Sequence, residues 1–252
     1  MSNNIKDVKR KSIKILFLFV FSSILIICII NIIKYYDAVN KQEEIIDNLI
    51  DIGEVEQVED SDKLPAIDFD KLKNINSDIV GWIIMEGTQV NYPIVQGDNN
   101  SYYLNHSYDK SYNSYGSIFM DYRSNNGFSD LNTFLYGHYT GNGSMFGELK
   151  KYMKQSFYEE HPFFYILTPI ENYKVEIFSA YTDDALSSSY NIEFDNLNDY
   201  QTYLEKIKLK SRYSTDISIN YNIDKIISLY SCSHESGSKT ERYFIHGVIR
   251  KI

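Results

Sequence analysis

Cys232 and Arg242 are the residues whose types and spacing most directly suggest chemistry. Cys232 ends the apolar stretch IISLYSC, a polar loop SHESGSKTE follows, and RYFIHGVI resumes the apolar pattern. An antiparallel hairpin with Cys232 opposite Arg242 would set the two side chains about 4.5–5.5 Å apart on one face. The thiolate is the reactive form of cysteine. A guanidinium beside it could steady an oxyanion formed by its attack on a carbonyl. The alternatives are a buried cysteine acting as a small hydrophobe and an arginine in a surface ion pair.

A thiol also needs a proton partner, and the chain offers His106, His138, His161, His234 and His246. The same hairpin sets His246 opposite Ser228, about 13 Å down the strand from Cys232 and too far for direct proton transfer. His234 lies in the intervening loop and could reach, although nothing in the sequence fixes it. His106 and His161 carry no signature. His138 closes TFLYGH and opens the glycine-rich YTGNGS, a position suited to a ligand-binding strand end. Taken alone, such a histidine is more often structural than catalytic, so the residues leave His138 and His234 both open.

The other cysteine, Cys28, lies in an apolar run at residues 13–33. About 20 such residues span a bilayer as a helix. Lys6, Lys9, Arg10 and Lys11 precede the run, which predicts a cytoplasmic N-terminus and an extracellular remainder. A cleaved signal peptide fits less well, because no small-residue cleavage site follows. Cys28 is then sealed in lipid, and Cys232 is an unpaired thiol in a compartment where thiols usually pair.

Net charge is −9, with +5 in residues 1–34 and therefore −14 in the rest. No basic stripe stands out, which argues against a nucleic-acid partner. One accessible cysteine and scattered histidines give no metal-ligand spacing, so neither a metal nor a cofactor is expected.

The expected organisation is a cytoplasmic N-terminus at 1–12, a transmembrane anchor at 13–33, a stalk or linker helix at 34–65, and a catalytic domain at 66–252. A polar helix is predicted over 35–62, with Gly53 as a stop. Beyond Pro65 the pattern becomes short strands, at 79–85, 89–95, 115–121, 133–138, 163–167, 173–181, 226–232 and 243–249. Helices are predicted at 145–152 and at 197–210, the latter with Leu197, Tyr200, Leu204 and Ile207 on one face. The fold class is mainly β, a barrel or sandwich.

These segments together resemble a class B sortase. The resemblance rests on NYPIVQ (91–96), YYLNHS (102–107), GSIFMDYR (116–123), FLYGH (134–138), MFGELKKY (145–152), SLYSC (228–232) and RYFIHG (242–247). They occur in the family's order across residues 79–250. The resemblance implies a closed sortase-type β-barrel with N-terminal helices and a helix in the insertion before the cysteine strand. Residues 66–77 and 197–210 match those helices. It implies a membrane-anchored cysteine transpeptidase that cuts an NPxTN-like C-terminal sorting motif after Thr. The product would be joined to a peptidoglycan precursor or crossbridge amine, or to a pilin in polymerising relatives. The family's cysteine, histidine and arginine fall on Cys232, His138 and Arg242. Its motif pocket falls on Asn91, Val95, Tyr136 and Ser231. One departure is that the usual T-L-S-T-C reads S-L-Y-S-C, so the bulky Tyr230 takes a small residue's place. The rival classes are a hydrolytic cysteine peptidase and a non-enzymatic anchored binding module.

Overall fold

The computed structural model describes residues 2–55, 64–125, 127–232 and 239–252. The chain divides into two units, Met1–Asn48 and Leu49–Ile252. Helix α1 (Ser2–Gly53) is unbroken. The expected polar helix therefore ends where anticipated, at Gly53, but it is continuous with the apolar run. No Pro or Gly stands between residues 2 and 52 to interrupt it. Within α1, Lys14–Asp37 is long and apolar enough to cross a membrane, and none of it is buried. Ser22 and Ser23 donate to the Phe19 and Val20 carbonyls at 2.9 and 2.8 Å. Their hydroxyls are thus satisfied inside the helix, as a lipid environment requires.

The second unit begins with a short antiparallel pair, β1 (Glu54–Val55) and β2 (Ala66–Ile67). Helix α2 (Phe69–Ile75) is capped by the Asp68 carboxylate, which accepts from the Lys71 amide at 3.0 Å, and it buries Phe69 and Leu72. Eight further strands form the barrel: β3 (Ile79–Ile84), β4 (Asn91–Val95), β5 (Ile118–Met120), β6 (Asn132–Tyr136), β7 (Phe163–Leu167), β8 (Asn172–Asp184), β9 (Ile226–Cys232) and β10 (Glu241–Lys251). They close in the order β10-β8-β7-β3-β4-β5-β6-β9. All pairs are antiparallel except β4–β5 and β6–β9. The mainly β, closed-barrel expectation is met.

Side chains alternate across the barrel wall. Leu135, Ile227, Leu229 and Ile245 form one buried set. The other set includes Phe134, Ile226, Phe244 and Val248, and helix α4 (Leu197–Leu209) covers it with Tyr200, Tyr203, Leu204 and Ile207. Each large apolar side chain buried this way contributes about 1.5–3 kcal/mol.

Two local expectations differ from the fold. Leu197 is 41% exposed, and Tyr203 takes its place on the packed face of α4. The Tyr203 hydroxyl donates to the Ser189 carbonyl at 2.9 Å and accepts from Asn132 Nδ2 at 3.1 Å, so its burial leaves no polar atom unpaired. The helix expected at 145–152 is instead a turn. Met145 has φ +50° and bridges Tyr139, a 3₁₀ turn runs over Leu149–Met153, and helix α3 (Gln155–Glu160) follows. A Cβ at Gly147 would stand 2.5 Å from the Thr140 carbonyl oxygen, which shows how tightly the chain doubles back.

Candidate active site

Strand pairing brings two of the three positions level. Cys232 of β9 is the register partner of Arg242 of β10, as the hairpin argument required. On the other side of β9, Tyr136 of β6 is level with Tyr230. Two hydrogen bonds still link the chains just past the end of β6. The Gly137 amide donates to the Tyr230 carbonyl at 3.3 Å, and Ser231 Oγ donates to the Gly137 carbonyl at 2.8 Å. Two residues beyond Tyr136 and Tyr230 stand His138 and Cys232. His138 and Cys232 thus each follow the last registered pair of β6 and β9 by two residues, and Cys232 is level with Arg242 on the other side. Gly137 has no room for a side chain. A Cβ there would meet Ile118 Cδ1 at 2.5 Å and the Phe146 ring at 2.7 Å.

His138 is held from two sides. Its carbonyl accepts from the Phe146 amide at 3.0 Å. Its ring Nε2 lies 2.7 Å from the Leu104 carbonyl oxygen, in the 3₁₀ turn Tyr102–Leu104. A carbonyl only accepts, so Nε2 carries a proton there and Nδ1 is left to exchange one. The ring is half-buried and in reach of solvent.

Arg242 is anchored through a single nitrogen. Nη1 donates to the carbonyls of Lys239 at 3.0 Å and Glu241 at 2.8 Å. Among the described residues, Nε and Nη2 make no hydrogen bond. The guanidinium carbon stands 5.9 Å from the centre of the Tyr230 ring, within cation–π range. Tyr230, the departure in the cysteine strand, thus lies under the arginine. It is also the hub of an aromatic cluster, with ring centres 5.2 Å from Phe244, 5.5 Å from Tyr136 and 5.8 Å from Tyr190.

His246 opposes Ser228, as expected. It is fully buried, with Nδ1 2.6 Å from Ser228 Oγ and Nε2 3.0 Å from the Tyr181 hydroxyl. Burial, and secondarily the charge of Lys210, pushes its pKa down to about 3. His106 stacks on Tyr102 at 4.0 Å as a local packing group. His161 packs against Phe157 at the end of α3. His234 lies outside the described residues.

One group of residues was not singled out by its chemistry in the sequence. Asp121, in GSIFMDYR, is fully buried and accepts from Arg123 Nε and Nη2, each at 2.9 Å. It also accepts from Tyr136 (2.6 Å), Asn100 (2.9 Å) and Tyr190 (3.0 Å). Burial alone would raise its pKa. The hydrogen bonds from Arg123, Tyr136 and Asn100 outweigh burial and hold the carboxyl well below the usual range. This lock fixes Tyr136 beside Tyr230. The D-x-R spacing was the available signal, since it permits a local bidentate pair.

The four pocket residues are spread over both faces. Tyr136 is half-exposed on the face of the rung. Ser231 is buried, and its hydroxyl is committed to Gly137. Val95 is fully buried. Asn91, about 13 Å away at the other end of β4, is half-buried and accepts from Trp82 Nε1 at 2.6 Å.

Comparison with known proteins follows the same line. A family model described as Sortase domain matches residues 83–250. The chain is 38% identical over 184 residues to Sortase B of Staphylococcus aureus (strain NCTC 8325 / PS 47), covering 73% of this chain and 75% of the relative. It is 39% identical over 176 residues to Sortase B of Listeria monocytogenes serovar 1/2a, covering 70% and 71%. Among solved structures it is similar to sortase B from B. anthracis in complex with AAEK1, with TM-score 0.75, 35% identity, and 86% and 100% of the two chains covered. The Staphylococcus aureus sortase B–substrate complex gives TM-score 0.69 and 38% identity, with 73% and 85% covered.

Proposed function

The chain belongs to the sortase family of cysteine transpeptidases, with sortase B proteins as its relatives, and we propose that Cys232, His138 and Arg242 carry its reaction. The substrate is a secreted protein with a C-terminal NPxTN-like sorting motif, cut after Thr. The acceptor is an amine of a peptidoglycan precursor or crossbridge. The helix at residues 13–33 anchors the enzyme with its N-terminus in the cytoplasm, residues 34–65 link it, and the catalytic domain at 66–252 works outside the cell. What supports this reading is the register pair of Cys232 and Arg242, with His138 two residues past the end of the neighbouring strand β6.

The Cys232 thiolate attacks the Thr carbonyl carbon, and the carbonyl pair moves onto oxygen. The open nitrogens of Arg242 receive that oxyanion. The tetrahedral centre collapses, the C–N bond breaks, and His138 protonates the departing amine. A thioester remains on Cys232. The acceptor amine then attacks the thioester and gives its proton to His138, and the thiolate leaves with a new amide formed. Tyr136 flanks the motif directly. Asn91 borders the groove at the start of β4, while buried Val95 and Ser231 shape the wall from beneath.

The test is to incubate the full chain in detergent with an NPxTN-type peptide and to weigh the protein. A thioester adduct on the wild type and none on Cys232→Ala is expected. An equal adduct on Cys232→Ala would end the nucleophile assignment. Adding an amine and finding only hydrolysed peptide would favour the plain peptidase.

A further inference from the structure

We propose that the cavity beside Tyr139 and Tyr243 is a subsite for a carboxylate carried by the amine acceptor. This rests on the transpeptidase reading above and adds the chemistry of its second substrate. The cavity holds about 680 Å³ and is lined by Tyr139, Lys150, Lys151, Lys154, Phe157 and Tyr243, with Glu160 also contributing. Tyr139 directly follows His138 and Tyr243 directly follows Arg242, so the cavity borders the chain beside both residues, with the buried Tyr243 ring on the face of β10 opposite to Arg242. The Tyr139 and Tyr243 rings stack with centres 6.1 Å apart.

The cavity's charge is opposite in sign to that of the chain around it. Beyond residue 34 the chain carries −14, yet K-K-x-x-K places three ammonium groups here. Lys151 is neutralised by Glu148 at 2.6 Å and held by the Gly87 carbonyl. Lys150 is exposed and reaches the Tyr139 hydroxyl at 3.3 Å, with its nitrogen 5.5 Å from that ring's centre. Lys154 is exposed and has no ion pair among the described residues. Such a cluster repels the amine of an acceptor and attracts an anion on the same molecule. Seating the anion there turns the amine back toward Cys232.

The geometry also sets a length. Lys150 Nζ lies at most about 14 Å from the His138 Cα, counting one Cα step, a tyrosine side chain and one hydrogen bond. An extended peptide of roughly four residues covers that distance.

The experiment measures transpeptidation by the full chain with glycine peptides of two to six residues. Each is supplied as the free acid and as the C-terminal amide, at matched amine ionisation and low ionic strength. The acid is expected to have a KM roughly three- to tenfold below the amide. The advantage should be greatest near four residues and fade with added salt. In Lys150→Ala/Lys154→Ala the acid-to-amide ratio should fall to one, and in Lys154→Glu, which alters only an exposed side chain, it should invert. Equal KM values for acid and amide in the wild type, or an advantage that survives the double substitution, would overturn the subsite. Absence of any thioester with the motif peptide alone would instead defeat the underlying reading.

Discussion

The outer face of β6, β9 and β10 carries two polar rungs four residues apart, and they have opposite fates. At the lower rung, Ser228 and His246 are sealed under α4, and both imidazole nitrogens are occupied. At the upper rung, Cys232 and Arg242 are register partners, and His138 follows the end of β6 by two residues. Both rungs hold a histidine and a small nucleophilic residue on strands of one sheet. What separates them is cover. Burial turns the first into a neutral structural clasp, whereas Arg242 and His138 of the second stay half-exposed at the strand ends.

Breaking the open rung should cost activity and little stability. Replacing His138 with Ala is expected to lower acyl transfer by about 10²–10⁴-fold, with a melting temperature within a few degrees of wild type. Loss of both together would place His138 with the sealed group instead.

The sealed rung should respond to acid. An unfolded histidine protonates below about pH 6.5, whereas folded His246 resists protonation down to about 3. Its stabilising effect is therefore complete above about pH 6.5 and is lost as pH falls toward 3. From pH 7 to pH 5 the wild type should lose on the order of 2 kcal/mol of unfolding free energy, before most carboxylates titrate. Denaturant titration of His246→Phe should show a flatter profile over that range, and an unchanged slope would contradict the buried neutral state.

Arg242→Lys keeps the charge but loses the planar fork, and a tenfold or greater fall in the acylation rate is expected. Full acylation by the lysine variant would argue against a bidentate role. The smallest effect should come from Tyr230→Leu. Removing the ring below the guanidinium should cost about 0.5–1 kcal/mol, or two- to fivefold in acylation. Tyr230→Phe should restore it, since the ring face is kept.

The hairpin was legible because two period-two runs flank one polar loop, so Cys232 opposite Arg242 also fixed His246 opposite Ser228. The place of His138 was not legible from the residues alone. Its strand joins β9 in parallel, and about 90 residues separate them, so no local pattern records the pairing; only the family resemblance chose His138 over His234. The Asp121 lock was hidden for a similar reason, because its partners are scattered over residues 100, 123, 136 and 190. On α4, the apolar rhythm favoured Leu197 over Tyr203. The tyrosine won because Asn132 and Ser189 satisfy its hydroxyl inside the core.

The closing hairpin sets the order in which this enzyme can come into being. β9 must find β6, far behind it in the chain, and β10 must then pair with both β9 and β8 to shut the barrel. Contacts of such long range form slowly, and residue 242 is synthesised after residue 232. A growing chain therefore has its thiol before it has the arginine beside it. The pair at positions 232 and 242 exists only once β10 has seated, so the last barrel strand to form is the one that completes it.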